Sequence, residues 1–225
     1  MSGCCGPRGY EEVFSDKSAR GDAVKYRRKG LDTTARRIVD WLVAQDVSDA
    51  TVLEIGGGVG AIQIELLRAG AARATNVEIV GTYEEAARDL LREHSLEDRV
   101  ERLIFDFAAD GDVGPADIVV MHQVICCYPD MARLVSAAAT HAGRYLALTF
   151  PPDRWWWHLF ALQYNFWERI NARCFRGYVH DTKAILATAR AAGLRPVLER
   201  KGLIWQIAIL ERAVGARPPV TPPLS

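Results

Sequence analysis

The stretch 51–60, TVLEIGGGVG, constrains the fold more than any other part of the chain. It begins as a run of aliphatic and β-branched residues, which is typical of a strand buried on both faces of a parallel sheet. Gly56, Gly58 and Gly60 then allow a sharp turn and a close approach of the backbone to a ligand. The following residues, Ala61–Arg68, have helical spacing, so the N-terminus of this helix would point unpaired N–H groups at that ligand.

Two classes of ligand fit this loop. Gly56, Gly58 and Ala61 satisfy the dinucleotide pattern G-x-G-x-x-G/A. Glu54, however, stands two positions before the first glycine, where a carboxylate would repel a pyrophosphate and attract a cation. The methionyl part of S-adenosylmethionine carries an ammonium and a sulfonium and no phosphate, so Glu54 favours this cofactor. A purely structural turn in another α/β protein is the remaining alternative.

Strands and helices alternate after the loop, which predicts an α/β fold with a mostly parallel sheet. Glu78 ends the second strand, about 20 residues beyond the loop, where a carboxylate would accept the two hydroxyls of a ribose. Asp106 and Phe107 end the third strand, and we expect them to bind the adenine amino group and ring face. A surface acid and a core phenylalanine are the alternative. Residues 82–85 have the form of a capping box for the helix between these strands.

The loop after the fourth strand is expected to face the reactive centre, because ligands of open α/β sheets lie beyond the carboxyl ends of the strands. Met121 ends that strand and is predicted to contact the cofactor. His122 is the favoured proton acceptor, since an imidazole titrates near neutral pH, and a structural histidine is the alternative. Tyr128 is the second candidate catalytic residue, and Cys126 is placed at the substrate.

The segment 155–167, WWWHLFALQYNFW, has apolar side chains most of the way round a helix. Such a helix must be covered, by the protein core, by a substrate beneath a lid, by a second subunit or by a membrane surface. We predict a lid at about residues 153–176 in which Trp156 and Tyr164 contact the acceptor. An N-terminal arm carrying Tyr26 and Arg28 would close over the same pocket and pair with an anionic substrate.

The chain has 225 residues, and its 28 basic and 28 acidic residues cancel. This length predicts one domain, and the overall charge gives no bias towards nucleic acid. No apolar run reaches the about 20 residues that span a bilayer, and the N-terminus lacks the features of a secretion signal, so we expect a cytoplasmic protein without a transmembrane segment. The five cysteines include the adjacent pairs Cys4-Cys5 and Cys126-Cys127, which we predict to lie close together.

Glu54 with the three glycines, Glu78 and Asp106-Phe107 resemble the motifs of the class I S-adenosylmethionine-dependent methyltransferases. Within that class, residues 26–31 (YRRKGL) and the Tyr128-Pro129 pair are similar to magnesium-protoporphyrin O-methyltransferases and related small bacterial proteins. The resemblance implies a Rossmann-like domain over residues 49–211, with a seven-stranded, mostly parallel sheet that ends in an antiparallel hairpin. Residues 1–48 would form the arm and a helix packed on this core, and residues 212–225 a disordered tail.

The activity implied by the resemblance is methyl transfer from S-adenosylmethionine. The aromatic segment and the basic residues of the arm predict a small, largely apolar or aromatic acceptor with an anionic or weakly acidic group. The expected partner is that small molecule, with no nucleic acid and no metal. Two other classes stay open: a nucleic-acid or protein methyltransferase, which would want a wider basic surface, and a cysteine-based metal or thiol-handling protein, including a thiol methyltransferase.

Overall fold

Seven strands form one sheet in the order β3-β2-β1-β4-β5-β7-β6. The strands are β1 (Thr51–Ile55), β2 (Arg73–Glu78), β3 (Val100–Ile104), β4 (Ala116–Met121), β5 (Ala142–Phe150), β6 (Leu194–Arg200) and β7 (Gln206–Arg212). Strands β1 to β5 are parallel, and β7 runs antiparallel to both of its neighbours. This computed structural model describes residues 8–110 and 113–213. It confirms the predicted fold, a Rossmann-like α/β sheet closed by an antiparallel hairpin.

Helices cover both faces of the sheet. They are α1 (Arg8–Val13), α2 (Asp16–Lys29), α3 (Thr33–Val43), α4 (Ala61–Arg68), α5 (Glu84–Glu93), α6 (Phe107–Asp110), α7 (Met131–His141), α8 (Trp155–Ile170) and α9 (Thr182–Ala191). Side chains of β1 alternate between the two resulting cores, with Val52 in one and Leu53 and Ile55 in the other. This burial on both faces explains why the apolar residues of β1 do not alternate with exposed polar ones.

The start of α5 differs from the predicted capping box. A 3₁₀ turn over Gly81–Tyr83 precedes the helix, and the residue at its N-cap, Tyr83, makes no side-chain cap. The Thr82 hydroxyl instead donates a hydrogen bond to the carbonyl of Phe14. The capping-box prediction was therefore wrong, because this threonine holds the N-terminal segment against the core.

The apolar pattern predicts a C-terminal hairpin of residues 194–200 and 203–210, and only the position of its second strand differs in the structure. Strand β7 starts at Gln206, and Leu203 and Ile204 are exposed in the loop before it. Cys4 and Cys5, predicted to lie near the second cysteine pair, are outside the described residues, as is the tail from residue 214 onward. Within the described ranges, no helix combines the length and apolarity that a bilayer crossing requires.

Candidate active site

The glycine loop connects β1 to α4 and has the conformation that its sequence requires. Gly56, Gly58 and Gly60 have φ angles of 64°, 58° and 79°, in the left-handed region that favours glycine. A Cβ atom at Gly57 would lie 2.6 Å from the carboxyl carbon of Glu54, so the loop packs directly on that side chain. The loop also binds the end of β2, because the Gly58 N–H donates to the Glu78 carboxylate.

Glu54 lies beneath the loop and is only 2% exposed. Its carboxylate accepts the N–H of Gln63 at 3.2 Å. Burial raises the pKa of Glu54 to about 8. The side-chain amides of Gln63 and Asn76, also fully buried, have no hydrogen-bond partner among the residues that the structure describes. This polar layer under the loop favours a ligand or water that completes its hydrogen bonds.

Glu78 ends β2 beside the same loop and is 7% exposed. Burial raises its pKa to about 6, although the hydrogen bond from Gly58 and the charge of Arg102 oppose that shift. The carboxylate is thus mostly ionised at neutral pH and can accept hydrogen bonds from a ligand.

A cavity of about 290 Å³, here called the inner cavity, lies at the carboxyl ends of β1 and β2. Four carboxyl side chains reach its wall, against one lysine, Lys25. The four are Asp22, Asp32, Glu54 and Glu78. Such a cavity attracts a cation and disfavours a pyrophosphate, as the position of Glu54 had indicated.

Helix α2 forms one wall of the inner cavity through Asp22, Lys25 and Tyr26, which have helical spacing on one face. The Tyr26 hydroxyl donates to the Glu65 carboxylate at 2.9 Å. Arg28, predicted at the substrate, is exposed and does not line the cavity, although it is less than one helical turn from Lys25. Lys25 occupies the cavity side instead.

His122 follows β4 and lines the inner cavity. Its Nε2 lies 3.0 Å from a carboxylate oxygen of Asp32, and its Nδ1 lies 3.2 Å from the Thr149 hydroxyl. Thr149 is fully buried, and its hydroxyl accepts the N–H of Gln123 at 2.8 Å. The imidazole orientation is therefore fixed from both sides.

Asp106 follows β3, and Tyr128 donates its hydroxyl to both oxygens of that carboxylate at 3.0 Å. Burial and the hydrogen bond to Asp106 raise the pKa of Tyr128 to about 12, so at neutral pH this phenol donates. Phe107 is buried and its ring contacts His141 edge-on. Met121, by contrast, is fully buried at the end of β4 and lines none of the cavities described here.

Two further cavities adjoin the inner one. A small cavity of about 60 Å³ is lined by Glu78, Asp106 and Phe107 among others. A larger one of about 450 Å³, here called the outer chamber, has Phe175, Arg176 and Tyr178 in its wall. Three residues line all three cavities and mark their junction: Tyr10, Ile79 and Cys127.

Tyr10, in the N-terminal segment, lies at this junction. The Tyr10 hydroxyl donates to the carbonyl of Cys127 at 3.0 Å, and its ring packs edge-on against Phe175. The Sγ atoms of Cys126 and Cys127 are 3.8 Å apart, but only Cys127 lines the cavities. Among the described residues, no group of three or more metal-binding side chains occurs.

The aromatic segment forms α8. Of its two predicted substrate residues, Tyr164 lies beside the outer chamber and Trp156 does not. Tyr164 contacts Phe175 and therefore supports the wall of the outer chamber. Trp156 is 36% exposed, its ring lies 4.9 Å from the guanidinium carbon of Arg154, and it lines none of the three cavities.

Several residues of the site were missed from the sequence. Asp32 caps α3, but its contact with His122 spans 90 positions of sequence. Lys25 and Cys127 are each next to a predicted residue in the sequence. For Lys25, the helical spacing that it shares with Asp22 and Tyr26 was the available signal. Arg176 had no sequence signal, since it lies in an irregular segment after α8.

The fold resembles several solved structures. Magnesium protoporphyrin IX methyltransferase from Synechocystis PCC 6803, with bound S-adenosylhomocysteine, aligns at a TM-score of 0.64 and 22% identity, over 80% of this chain and 82% of that one. An O-methyltransferase family 2 protein from Planctomyces limnophilus DSM 3776, in complex with apigenin, aligns at a TM-score of 0.63 and 19% identity, over 88% and 62%. These similarities show the fold.

Curated relatives include ribosomal protein L11 methyltransferases. The protein from Enterobacter sp. (strain 638) is 28% identical over 114 residues, and that from Yersinia pseudotuberculosis serotype O:1b is 30% identical over 115. These matches cover 51% of this chain but only 38% of each relative, so the chain spans less than two-fifths of their length.

A family model for a methyltransferase domain matches residues 25–199, which include the glycine loop, Glu78, His122 and all of α8. The chain therefore belongs to this methyltransferase family.

Proposed function

We propose that the chain transfers a methyl group to a small, largely apolar or aromatic acceptor that carries an anionic or weakly acidic group. The outer chamber is the observation that carries this proposal. It joins the inner cavity at Tyr10 and Cys127 and has aromatic side chains in its wall. The wall also contains one basic residue, Arg176, and two acidic ones, Glu11 and Asp106, of which Asp106 already accepts a hydrogen bond from Tyr128. Aromatic walls bind planar molecules at low entropic cost, and an arginine recognises an anion.

The cofactor would occupy the inner and small cavities. Burial raises the pKa of Glu54 to about 8 in the free protein, and the positive charges of the methionyl part of S-adenosylmethionine would favour its ionised form on binding. The Glu78 carboxylate accepts hydrogen bonds from the ribose hydroxyls. Asp106 and Phe107 bind adenine in the small cavity. For this, the Asp106 carboxylate must either accept a further hydrogen bond or lose the one from the Tyr128 hydroxyl. When bound, the cofactor supplies an activated methyl group, so this chain mainly positions the acceptor and excludes water.

The acidic inner cavity also separates the two substrates. Its carboxylates would repel an anionic acceptor, which favours binding of the acidic group beside Arg176. His122 and Tyr128 are the catalytic residues that we propose. His122 would take a proton through Nδ1 once the Thr149 hydroxyl turns away, and Tyr128, with its raised pKa, would hold the acceptor by donating a hydrogen bond.

The test is to incubate the protein with methyl-labelled S-adenosylmethionine and a cell extract, and then to separate small molecules from macromolecules. Label in a small aromatic or apolar acid supports the proposal. Arg176→Gln should then raise the acceptor KM about tenfold and leave the affinity for S-adenosylhomocysteine unchanged. Arg190→Gln, on the exposed face of α9, is the matched control.

A protein acceptor is the second candidate, favoured by the relatives whose names specify a ribosomal protein. Label in the protein fraction alone would support it and would overturn the small-molecule proposal.

A further inference from the structure

Helix α8 turns its apolar side chains away from the protein. Large apolar residues on its outward side are 36 to 72% exposed. They are Trp155, Trp156, Leu159, Phe160, Leu162, Phe166, Trp167 and Ile170. The one buried residue of the helix is a charged one, Glu168. Burying a carboxylate while exposing three tryptophans is the reverse of the pattern of a helix that faces water.

Polar contacts hold the inward side of α8 in place. The side-chain amide of Asn165 donates to the carbonyl of Gly177 and its oxygen accepts the Gly177 N–H, both at 2.8 Å. The Trp157 indole N–H donates to the carbonyl of Leu203 at 3.1 Å. This bond places Leu203 and Ile204, which are 75% and 60% exposed, beside the helix. The helix and this loop form one apolar surface, here called the α8 face.

The charges around the α8 face are unbalanced. Glu168 is buried and lies 3.4 Å from Arg173, and Asp153 lies 2.6 Å from His158. Arg154 and Arg169 are exposed at the two ends of the helix, and Arg200 and Lys201 flank the adjacent loop. Two acids of this region, Asp153 and Glu199, are exposed as well. The four basic residues outnumber them, so the rim in this part of the described chain has a net positive charge although the whole chain has none.

A second copy of the chain is a poor occupant. In a two-fold dimer the same patch meets itself, so basic rim would face basic rim. A lipid surface is a better one, because tryptophan prefers the membrane–water interface and basic side chains prefer anionic headgroups. The helix has 16 residues, fewer than the about 20 needed to span a bilayer. It has the composition of a helix that lies in the interface plane.

We propose that the α8 face binds the surface of an anionic lipid membrane, with α8 lying parallel to the bilayer. Its apolar side chains enter the boundary between headgroups and acyl chains, and the basic rim contacts the headgroups. None of these residues lines the three cavities, so this proposal stands independently of the acceptor.

The test is sedimentation of the full chain with two kinds of vesicle, phosphatidylcholine alone and phosphatidylcholine with phosphatidylglycerol. We expect binding to the anionic vesicles only. Leu162→Ser with Phe166→Ser should abolish it, and Arg154→Gln with Arg169→Gln should weaken it about fivefold for each charge removed. Val24→Ser with Val43→Ser, and Arg20→Gln with Arg37→Gln, are controls at exposed positions on α2 and α3 that should bind like the unaltered chain.

Unchanged affinity for S-adenosylhomocysteine shows that each variant is folded. Three results would overturn the proposal: no binding to anionic vesicles, equal binding to both kinds, or retained binding by the serine variant. A dimer in light scattering that Leu162→Ser with Phe166→Ser dissociates, without vesicle binding, would assign the face to self-association instead.

Discussion

The Asp32 carboxylate contacts both the start of a helix and a ring nitrogen of His122. One of its oxygens accepts the N–H groups of Thr34 and Ala35 at 2.7 and 3.0 Å, and the other lies 3.0 Å from Nε2 of His122. Burial opposes ionisation of Asp32, but the hydrogen bonds from His122 and from the helix lower its pKa overall. The N-terminus of α3 therefore fixes an ionised partner for the imidazole, and this favours a proton on Nε2.

We expect Asp32→Asn to weaken this arrangement without unfolding α3, because asparagine also caps helices well. Loss of a charge-assisted hydrogen bond, worth about 1.5–3 kcal/mol, should lower kcat at least tenfold. Nitrogen NMR of the imidazole should show a changed tautomer population. Asp40→Asn, on the exposed side of the same helix, should change neither quantity. An unaltered imidazole spectrum in Asp32→Asn would show that Asp32 does not position His122.

Binding of S-adenosylhomocysteine should weaken as the pH falls through about 6, the pKa of Glu78. The reason is that the protonated carboxyl can no longer accept both ribose hydroxyls, and each pH unit below the pKa should lower the affinity by up to about tenfold. Calorimetry on Glu78→Gln should give weaker binding and a flat profile below pH about 7. Glu101→Gln, exposed on β3, is the control. A persistent pH dependence in Glu78→Gln would assign the titration to another group.

Without ligand, the protein should lose stability as the pH rises from 4.5 to about 8. The reason is that burial raises the pKa of Glu54 from 4.5 to about 8 in the folded state. A raised pKa favours the protonated form in the folded state, so ionisation costs folding free energy as the pH rises. Glu54→Gln should therefore raise Tm at pH 8 and above, by an amount equivalent to a few kcal/mol of unfolding free energy. Near pH 4.5 the gain in Tm should be much smaller. Thermal unfolding of Glu54→Gln and of the exposed Glu85→Gln, without ligand, measures the difference. An equal gain at both pH values would contradict it.

Arg212 has a structural role that the sequence did not indicate. It is 5% exposed and donates hydrogen bonds to the carbonyls of Ala142, Ala192 and Ala139 at 2.7, 2.8 and 2.5 Å. Arg212→Met leaves these acceptors without donors and should lower the free energy of unfolding by about 2–4 kcal/mol. Urea unfolding of this variant should be compared with Arg195→Met, which removes one exposed ion pair at a neighbouring strand position and should cost less than about 1 kcal/mol.

The features predicted well are those encoded over a few neighbouring residues. The buried β1, the glycines that need positive φ and the acid that ends β2 each depend on local chemistry, and together they form a wall of the inner cavity. Arg28 was predicted to face the cavity from α2, but Lys25 does so. The two residues are less than one turn apart, and composition alone does not fix how the helix is rotated about its axis. Long-range pairs such as Asp32 with His122 depend on how the chain folds back, which no local pattern reports.

The aromatic helix shows a different limit. Its composition showed that it must be covered, and both a lid and a membrane contact were consistent with that composition. Only the three-dimensional structure shows that Glu168 faces inward while Leu162 and Phe166 face outward, and this orientation distinguishes a wall of the pocket from an external surface.

Strand β7 lies between β5 and β6 although it is the last strand in the described sequence. Its pairing with β5 joins residues as far apart as Tyr145 and Glu211, and nearly all of its side chains are buried. During synthesis on the ribosome, β5 must therefore wait with an open, apolar edge until residue 212 has emerged, and pairing across so long a separation is slow. The unpaired edge of β5 is a surface on which aggregation can start or a chaperone can bind. The yield of folded protein should therefore depend on how quickly the ribosome synthesises the segment that contains β7.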